Sequence, residues 1–340
     1  LDSDPVLIVP EFFRGNTEAN CWIRDIRGQP APHQVKSERE LPKEVAATIE
    51  ELGYGKKTIG LESGWLGHLW IPRPLNDIET FKKGLPNAKF ADADMVIWGC
   101  RMIKSPLEID RMGKAVRIIA EVHGRVVEEY RPGMTEMDIG KIIQHAEVER
   151  GDWTMGGGHI ACGAVKEGML DTPPFFEGVT INKGDYLWID IQHPYKGYWA
   201  DSARIFQVGP VTDGVKKKYE LIHKALDAAA EVARPGVKAK DVYFAVWNTL
   251  KAGGVKQQFE MSGHGIGMHV HEPPSVGIWD ETILQAGMTL NVEPVVLDGY
   301  RRMGGERAFH HEDLVVITDN GCYVIEGLRR DITQVSHPIA

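Results

Sequence analysis

Two similar nine-residue segments, 103 positions apart, constrain the fold of this chain more than any other feature. RPGMTEMDI begins at Arg131, and RPGVKAKDV begins at Arg234. Each segment follows a stretch with the apolar spacing of an amphipathic helix, and each leads into a second helical stretch. Two matching helix pairs predict a domain of two similar halves arranged around one site.

The first hundred residues have a different pattern. The apolar runs DPVLIVP and KTIGLES predict buried strands, and LPKEVAATIEELGYG predicts an amphipathic helix that ends at glycine. This alternation is typical of an α/β domain. At Ser105 the pattern changes, because a serine cap, Pro106 at the first helical position and Glu108 in the first turn predict a helix start. We therefore predict one domain over 1–104 and a second over 105–340.

The composition excludes several kinds of partner. With 39 basic and 48 acidic residues, the net charge is -9, which argues against nucleic acids and membrane surfaces as partners. No apolar run approaches the roughly 18 residues of a membrane-spanning helix. The four cysteines are far apart and form no CxxC pair, which favours reduced thiols in a cytoplasmic protein. The opening LDSDPVLIVP reads as the middle of a domain, so we expect an upstream segment to be missing.

The segment GDYLWIDIQHPYKGYWADSARIF predicts a hairpin that carries two aspartates. With its tip at Tyr195 and Lys196, Asp190 directly faces Asp201, with the two β-carbons about 4.5–5.5 Å apart. Carboxylates that close, among apolar neighbours, need a shared proton or cations between their oxygens. The alternative is a pair of exposed aspartates at the base of the hairpin.

Three further polar residues occupy positions where burial is expected. His264 lies in the glycine-rich SGHGIGMHVHEPP, Glu293 ends an apolar strand, and Glu312 begins another. A buried glutamate is rarely tolerated without a partner. Four carboxylates and one imidazole could bind two divalent cations, and oxygen-rich ligation suits manganese, iron or cobalt without excluding zinc. Two neighbouring metal cations can lower the pKa of a water that they share and polarise a carbonyl.

These motifs, in this order, resemble those of the pita-bread metallohydrolases, which include methionine aminopeptidase, aminopeptidase P, prolidase and creatinase. The resemblance spans about 104–335. It implies an α+β fold with a pita-bread C-terminal domain of pseudo-two-fold symmetry. The preceding residues resemble the smaller creatinase-type α/β domain of the prolidase branch, apparently without its first elements.

The resemblance also implies a set of metal ligands. Carried over by position, they are Asp190, Asp201, His264, Glu293 and Glu312. Asp190 would chelate one metal, Asp201 and Glu312 would bridge both, and the remaining two residues would complete the second metal. Glu293 in this family also handles protons, and His271 matches the histidine that contacts the scissile carbonyl or the developing oxyanion.

Several positions depart from the pattern of the Xaa-Pro branch. No histidine lies in the segment 171–174, where relatives usually have one, and His310 replaces a usual arginine. His269 replaces a common acidic residue. We predict that His310 and His269 are substrate-side residues, together with His159 in the glycine-rich GGGHIACG. A two-residue period would put His310 beside Glu312, and an extended MHVHE would put His269 on the face of His271.

The leading hypothesis is a metallopeptidase with two divalent ions, manganese favoured over iron, cobalt and zinc. It would cleave a C–N amide bond in Xaa-Pro dipeptides or other small amides, and the family implies a homodimer. A second hypothesis is a pita-bread enzyme for a small metabolite, such as an amidino compound, a cyclic amidine or a dimethylsulfoniopropionate-type lyase substrate. A third is a catalytically silent binding module, against which the presence of all five ligands argues.

Overall fold

The computed structural model describes residues 4–29, 40–62, 75–150, 180–184, 186–256, 258–298, 307–325 and 333–335. The chain forms two compact units, and the division falls between Ile97 and Trp98, inside a helix. Residue 104 stays a proposed domain boundary. None of the helices in the described ranges is both long and apolar enough to cross a membrane.

The first unit alternates strands and helices, as the apolar runs predict. Its elements are β1 (Val6–Pro10), a 3-10 helix (Glu11–Phe13), α1 (Arg14–Asn20), β2 (Asp25–Gln29), α2 (Glu40–Glu51), β3 (Thr58–Leu61), α3 (Leu75–Gly84) and β4 (Lys89–Asp92). Helix α4 (Asp94–Met102) follows and contains the division. Strands β1 and β2 pair in parallel, as do β3 and β4. Ala46, Phe81 and Leu85 form the centre of its small core.

The second unit contains four longer helices and most of the strands. The helices are α5 (Pro106–Glu129), α6 (Glu136–Arg150), α7 (Asp213–Val232) and α8 (Ala239–Ala252). The strands are β5 (Tyr186–Tyr195), β6 (Tyr198–Val208), β7 (Met261–Gly265), β8 (Glu272–Gly277), β9 (Thr289–Val292), β10 (Val295–Asp298), β11 (Arg307–His310), β12 (Asp313–Thr318), β13 (Gly321–Val324) and β14 (Thr333–Val335). Helix α5 begins with the predicted capping box, in which Ser105 and Glu108 each bond the other's backbone N–H.

The two halves of this unit repeat each other. After α5, the backbone N–H of Ile181 donates to the carbonyl of Met134, and after α7, that of Leu284 donates to Val237. Both donors and both acceptors are separated by 103 residues, which is the offset of the sequence repeat. The predicted duplication is therefore present in the backbone hydrogen bonds as well as in the amino-acid sequence.

Two sheets form the centre of the second unit. One has five strands in the order β13-β12-β9-β7-β8, and the other has three in the order β14-β6-β5. Helix α5 packs on β5 and β6 through an apolar cluster. The backbone N–H of Glu312, just before β12, donates to the carbonyl of Ala203 in β6 at 3.2 Å. This bond connects the two sheets at the position where the acidic residues converge.

The hairpin of β5 and β6 has a different register from the predicted one. Its two-residue turn is Lys196-Gly197, with φ of 48° and 84°, so Asp190 pairs with Ala203 and Asp201 pairs with Gln192. The predicted tip was wrong because a tight turn with positive φ at both positions favours glycine at the second. The two aspartates consequently lie on one face but diagonally, not directly opposite.

Replacing Gly197 with alanine should lower the free energy of unfolding by about 1–2 kcal/mol, because a β-carbon disfavours left-handed backbone. No described atom lies within 4 Å of the β-carbon position, so the loss comes from the backbone. Gly214→Ala in α7 is the matched control, since its surroundings are equally open and alanine favours a helix. Urea denaturation followed by circular dichroism compares the two variants. Equal stability would contradict the assigned turn.

Candidate metal centre

The β5–β6 hairpin supplies two of the predicted ligands. Asp190 and Asp201 lie on the same face of the hairpin, since residues paired across strands share a face and each strand alternates. Both side chains are buried, and their carboxyl groups are hydrogen-bonded to each other. Two acids in this contact share a proton when no cation lies between them.

The five-stranded sheet supplies the other three. His264 lies in β7 opposite Asn291 of β9, while Glu293 directly follows β9. Glu312 directly precedes β12. Because β7, β9 and β12 are neighbours, these three side chains come together where one end of each strand meets the same end of the sheet.

The predicted ligands converge in space. The Nε2 atom of His264 lies 3.7 Å from Oδ2 of Asp201 and 4.0 Å from Oε1 of Glu293. Two groups of donors have ligand atoms within 4.8 Å of one another. The first is Asp201, His264 and His271, and the second is Asp190, His310 and Glu312. All five predicted metal ligands therefore meet at one site, together with two further histidines.

The chemistry of this donor set fits a pair of divalent cations. Within the described ranges, Oδ1 of Asp190 and Oδ1 of Asp201 are buried and have no hydrogen-bond partner. Burial, followed by repulsion from Glu312, raises the pKa of both aspartates well above the usual range. Burial raises the pKa of Glu293 to about 7, although His310 opposes the shift. Cations at these oxygens would remove the repulsion and satisfy the unpaired atoms.

Glu312 is held in place by Asn291, which the sequence did not reveal as a site residue. The amide Nδ2 of Asn291 donates to Oε2 of Glu312 at 2.9 Å, and both side chains are buried. Burial opposes ionisation of Glu312, but the interactions with His310 and the charge of His264 together outweigh it and lower the pKa of Glu312 to about 2. The available signal was the amide residue Asn291 inside the strand segment MTLNV, where burial is expected.

His310 contacts two of the predicted ligands. Its Nε2 atom lies 2.9 Å from Oε1 of Glu312 and 3.3 Å from Oε2 of Glu293. The predicted proximity of His310 and Glu312 is present, but not through the period of one strand, since β11 ends at His310. His311 instead contacts the hydroxyl of Tyr219 and the ring of His223.

His271 and His269 face different neighbours. The ring of His271 is exposed and lies 4.2 Å from the ring of His264, at 62°. The Nδ1 atom of His269 instead contacts the guanidinium of Arg101 at 2.5 Å. The condition for a shared face was an extended MHVHE, and it is not met, because residues 267–271 form consecutive bends and the strand begins only at Glu272.

A buried ion network supports this bent segment. Glu272 contacts both Arg101 and Lys104, and the Glu272 and Lys104 side chains are 0% and 1% exposed. Glu272 also accepts a hydrogen bond from the backbone N–H of His269 at 3.1 Å. Gly267 allows the close approach, since a β-carbon there would lie 2.7 Å from both Glu272 and Lys104. The network anchors the turn that carries His271, directly before Glu272.

His159 and the segment 171–174, where relatives usually have a histidine, lie outside the described ranges. His159 stays a prediction.

The duplicated scaffold and its buried donor set define a metal-dependent enzyme. Residues 110–319 match metallopeptidase family M24, and residues 1–103 match the creatinase/prolidase N-terminal domain. This chain belongs to metallopeptidase family M24 and carries a creatinase-type N-terminal domain. The predicted family, its two-part fold and the metallopeptidase class are confirmed.

Individual relatives cover most of the chain. It is 30% identical over 308 residues to the Xaa-Pro dipeptidase of Pyrococcus horikoshii, an alignment that covers 88% of this chain and 82% of that protein. It is also 30% identical over 321 residues to a Mycobacterium tuberculosis protein named probable dipeptidase PepE, covering 90% and 83%. The crystal structure of the prolidase from Pyrococcus horikoshii OT3 matches with a TM-score of 0.77 at 27% identity, covering 97% and 87%.

Below pH 6.5 the lowered pKa values of the buried His123 and His311 oppose the effect of the raised ones, so the clear expectation concerns higher pH. The metal-free protein should lose stability as the pH rises from about 6.5 to about 8. The pKa of Glu293 is raised from 4.5 to about 7, and that of His310 is raised above 6.5. The folded state therefore binds more protons than the unfolded state in this range, so unfolding becomes easier as they leave. Differential scanning calorimetry after chelation measures the trend. A melting temperature that stays constant or rises over this range would contradict it, whereas metal-loaded protein should not show the decline.

Glu272→Gln should lower the free energy of unfolding by about 3–5 kcal/mol, because it removes the carboxylate that compensates buried Lys104. Glu281→Gln is the matched control, since Glu281 pairs with Lys238 and Lys240 at the surface and should matter little. Chemical denaturation of both variants tests the difference. If Glu272→Gln were as stable as the control, the network would not anchor the turn.

Proposed function

We propose that this protein is a dinuclear metal-dependent dipeptidase that cleaves the C–N amide bond of Xaa-Pro dipeptides. The observation that carries the proposal is the convergence of four carboxylates and His264 at one buried edge of the duplicated fold. The names of the relatives support the substrate class, since they are an Xaa-Pro dipeptidase, a probable dipeptidase and a prolidase. These names do not favour a small-metabolite enzyme or a silent binding module.

The proposed metal ligands are the five that the family pattern implies. They are Asp190, Asp201, His264, Glu293 and Glu312. Asp201 and Glu312 would hold both ions, as the family pattern implies. When bound, the ions supply a Lewis acid that polarises the substrate carbonyl and lowers the pKa of water.

Two side chains have proposed catalytic roles in addition to ligation. His271 is exposed beside His264, so its imidazole can hydrogen-bond the carbonyl oxygen of a bound peptide and stabilise the charge that develops there. Glu293 is 18% exposed, more than the other carboxylates, and a pKa of about 7 suits a group that takes and returns a proton. His269 and His159 remain proposed substrate-side residues.

The metals, the assembly and the location are also proposed. Manganese is favoured for the oxygen-rich donors, with iron, cobalt and zinc as alternatives. A homodimer is proposed from the family. A cytoplasmic location agrees with the described cysteines Cys21, Cys100 and Cys322, which are free thiols.

Asp201→Asn should reduce dipeptidase activity at least ~100-fold, because losing a bridging ligand exceeds the effect of losing a supporting residue. Asp227→Asn, at an exposed position of α7, should keep full activity. Hydrolysis of Xaa-Pro dipeptides by manganese-loaded and chelated protein is the assay. Full activity of chelated Asp201→Asn would refute the metal mechanism.

A substrate panel tests the substrate class. Xaa-Pro dipeptides should be cleaved faster than tripeptides, small amides, amidino compounds and sulfonium compounds. Preferential turnover of any of the non-peptide compounds by manganese- or cobalt-loaded protein would replace the dipeptidase proposal with a small-metabolite enzyme. No bound metal in the purified protein, and no activity after adding either ion, would favour the binding module.

A further inference from the structure

The contacts of His310 do not have the geometry of hydrogen bonds. Its Nε2 atom is 2.9 Å from an oxygen of Glu312 and 3.3 Å from an oxygen of Glu293. Despite these distances, neither contact is aligned as a hydrogen bond within the described residues, so the nitrogen lies close to two carboxylate oxygens without being committed to either. Two atoms that bind one metal at about 2.1 Å, at right angles, lie about 3 Å apart, which is the spacing seen here.

We propose that His310 is a metal ligand, which supplies a ring nitrogen to the cation site formed with Asp190 and Glu312. The inference rests on the dinuclear centre of the proposed function. Ring and carboxylate donors of these three residues lie within 4.8 Å of one another. Each of the two cations would then have one imidazole, His264 on one side and His310 on the other.

The surroundings of His310 suit ligation better than substrate contact. Its side chain is only 6% exposed, and its backbone pairs with Val295 of the adjacent strand. The ring of Trp188 covers it at 5.5 Å between centroids. A substrate would have to displace this packing to reach His310, whereas a cation held by Glu312 already lies within its reach.

Ligation by His310 changes the expected metal preference. Imidazole suits zinc and iron, while an all-oxygen site suits manganese. The position next to Asp190 should therefore prefer zinc or iron over manganese more strongly than its carboxylates alone would. His310→Gln should reduce that preference.

The test counts imidazole ligands directly. Protein loaded with two equivalents of cobalt should show paramagnetically shifted, exchangeable ring N–H signals in proton NMR, one for each bound histidine. His310→Gln should lose one signal, and calorimetric titration should show one of two cobalt affinities weakened at least ~10-fold. His223→Gln is the matched control, because His223 contacts His311 on the opposite side and should alter neither measurement.

The possible outcomes separate the two proposals. Retention of every shifted signal and both affinities in His310→Gln overturns the inference, and fewer than two histidine signals in the wild-type protein overturns it even if the variant does not fold. No cobalt binding overturns the inference and the dipeptidase together. A wild-type protein with the His310 signal that leaves dipeptides intact supports the ligand and rejects the substrate class.

Discussion

Mutual repulsion among buried carboxylates is the constraint on which this structure depends. Asp190, Asp201 and Glu312 are buried within a few ångströms of one another, where water cannot screen their charge. A protein could avoid the repulsion by protonating them or exposing them. Without cations, the raised pKa values of Asp190 and Asp201 favour protonation, while Glu312 is stabilised as an anion by His310. Cations would remove the repulsion without protonation, and the fold places oxygen and nitrogen donors where cations could bind.

The duplicated architecture explains how one edge can hold so many donors. The β5–β6 hairpin contributes its aspartates from one sheet, and β7, β9 and β12 contribute from the other. The backbone bond from Glu312 to Ala203 fixes the two sheets at this point. Each proposed ligand therefore lies on or beside a strand, which holds it more rigidly than a long loop would.

Much of this was predictable from the sequence, for identifiable reasons. The start of α5 and the repeat are local signals, since capping and helix spacing act over a few residues. The five converging donors were identifiable because each one occupies a short motif. The hairpin register was not, because choosing the turn required knowing that Lys196 and Gly197 both take positive φ.

The contacts of Glu272 with Arg101 and Lys104 were also not predictable from the sequence. Arg101 and Lys104 lie about 170 positions before their partner, and no spacing in a single sequence reveals a contact over such a distance. The turn they hold could not be predicted for the same reason. The sequence left open whether MHVHE is extended, and the structure has bends there, directly before the buried contacts of Glu272.

The placement of the ligands in two different sheets has a consequence for how long the molecule survives. Bound ions would hold the two sheets together reversibly. By mass action, the free metal concentration would then set how often the sheets separate. Each separation exposes backbone that proteases can reach. The supply of metal would thus govern the abundance of the enzyme as well as its turnover, and a metal-starved cell would clear the idle protein first.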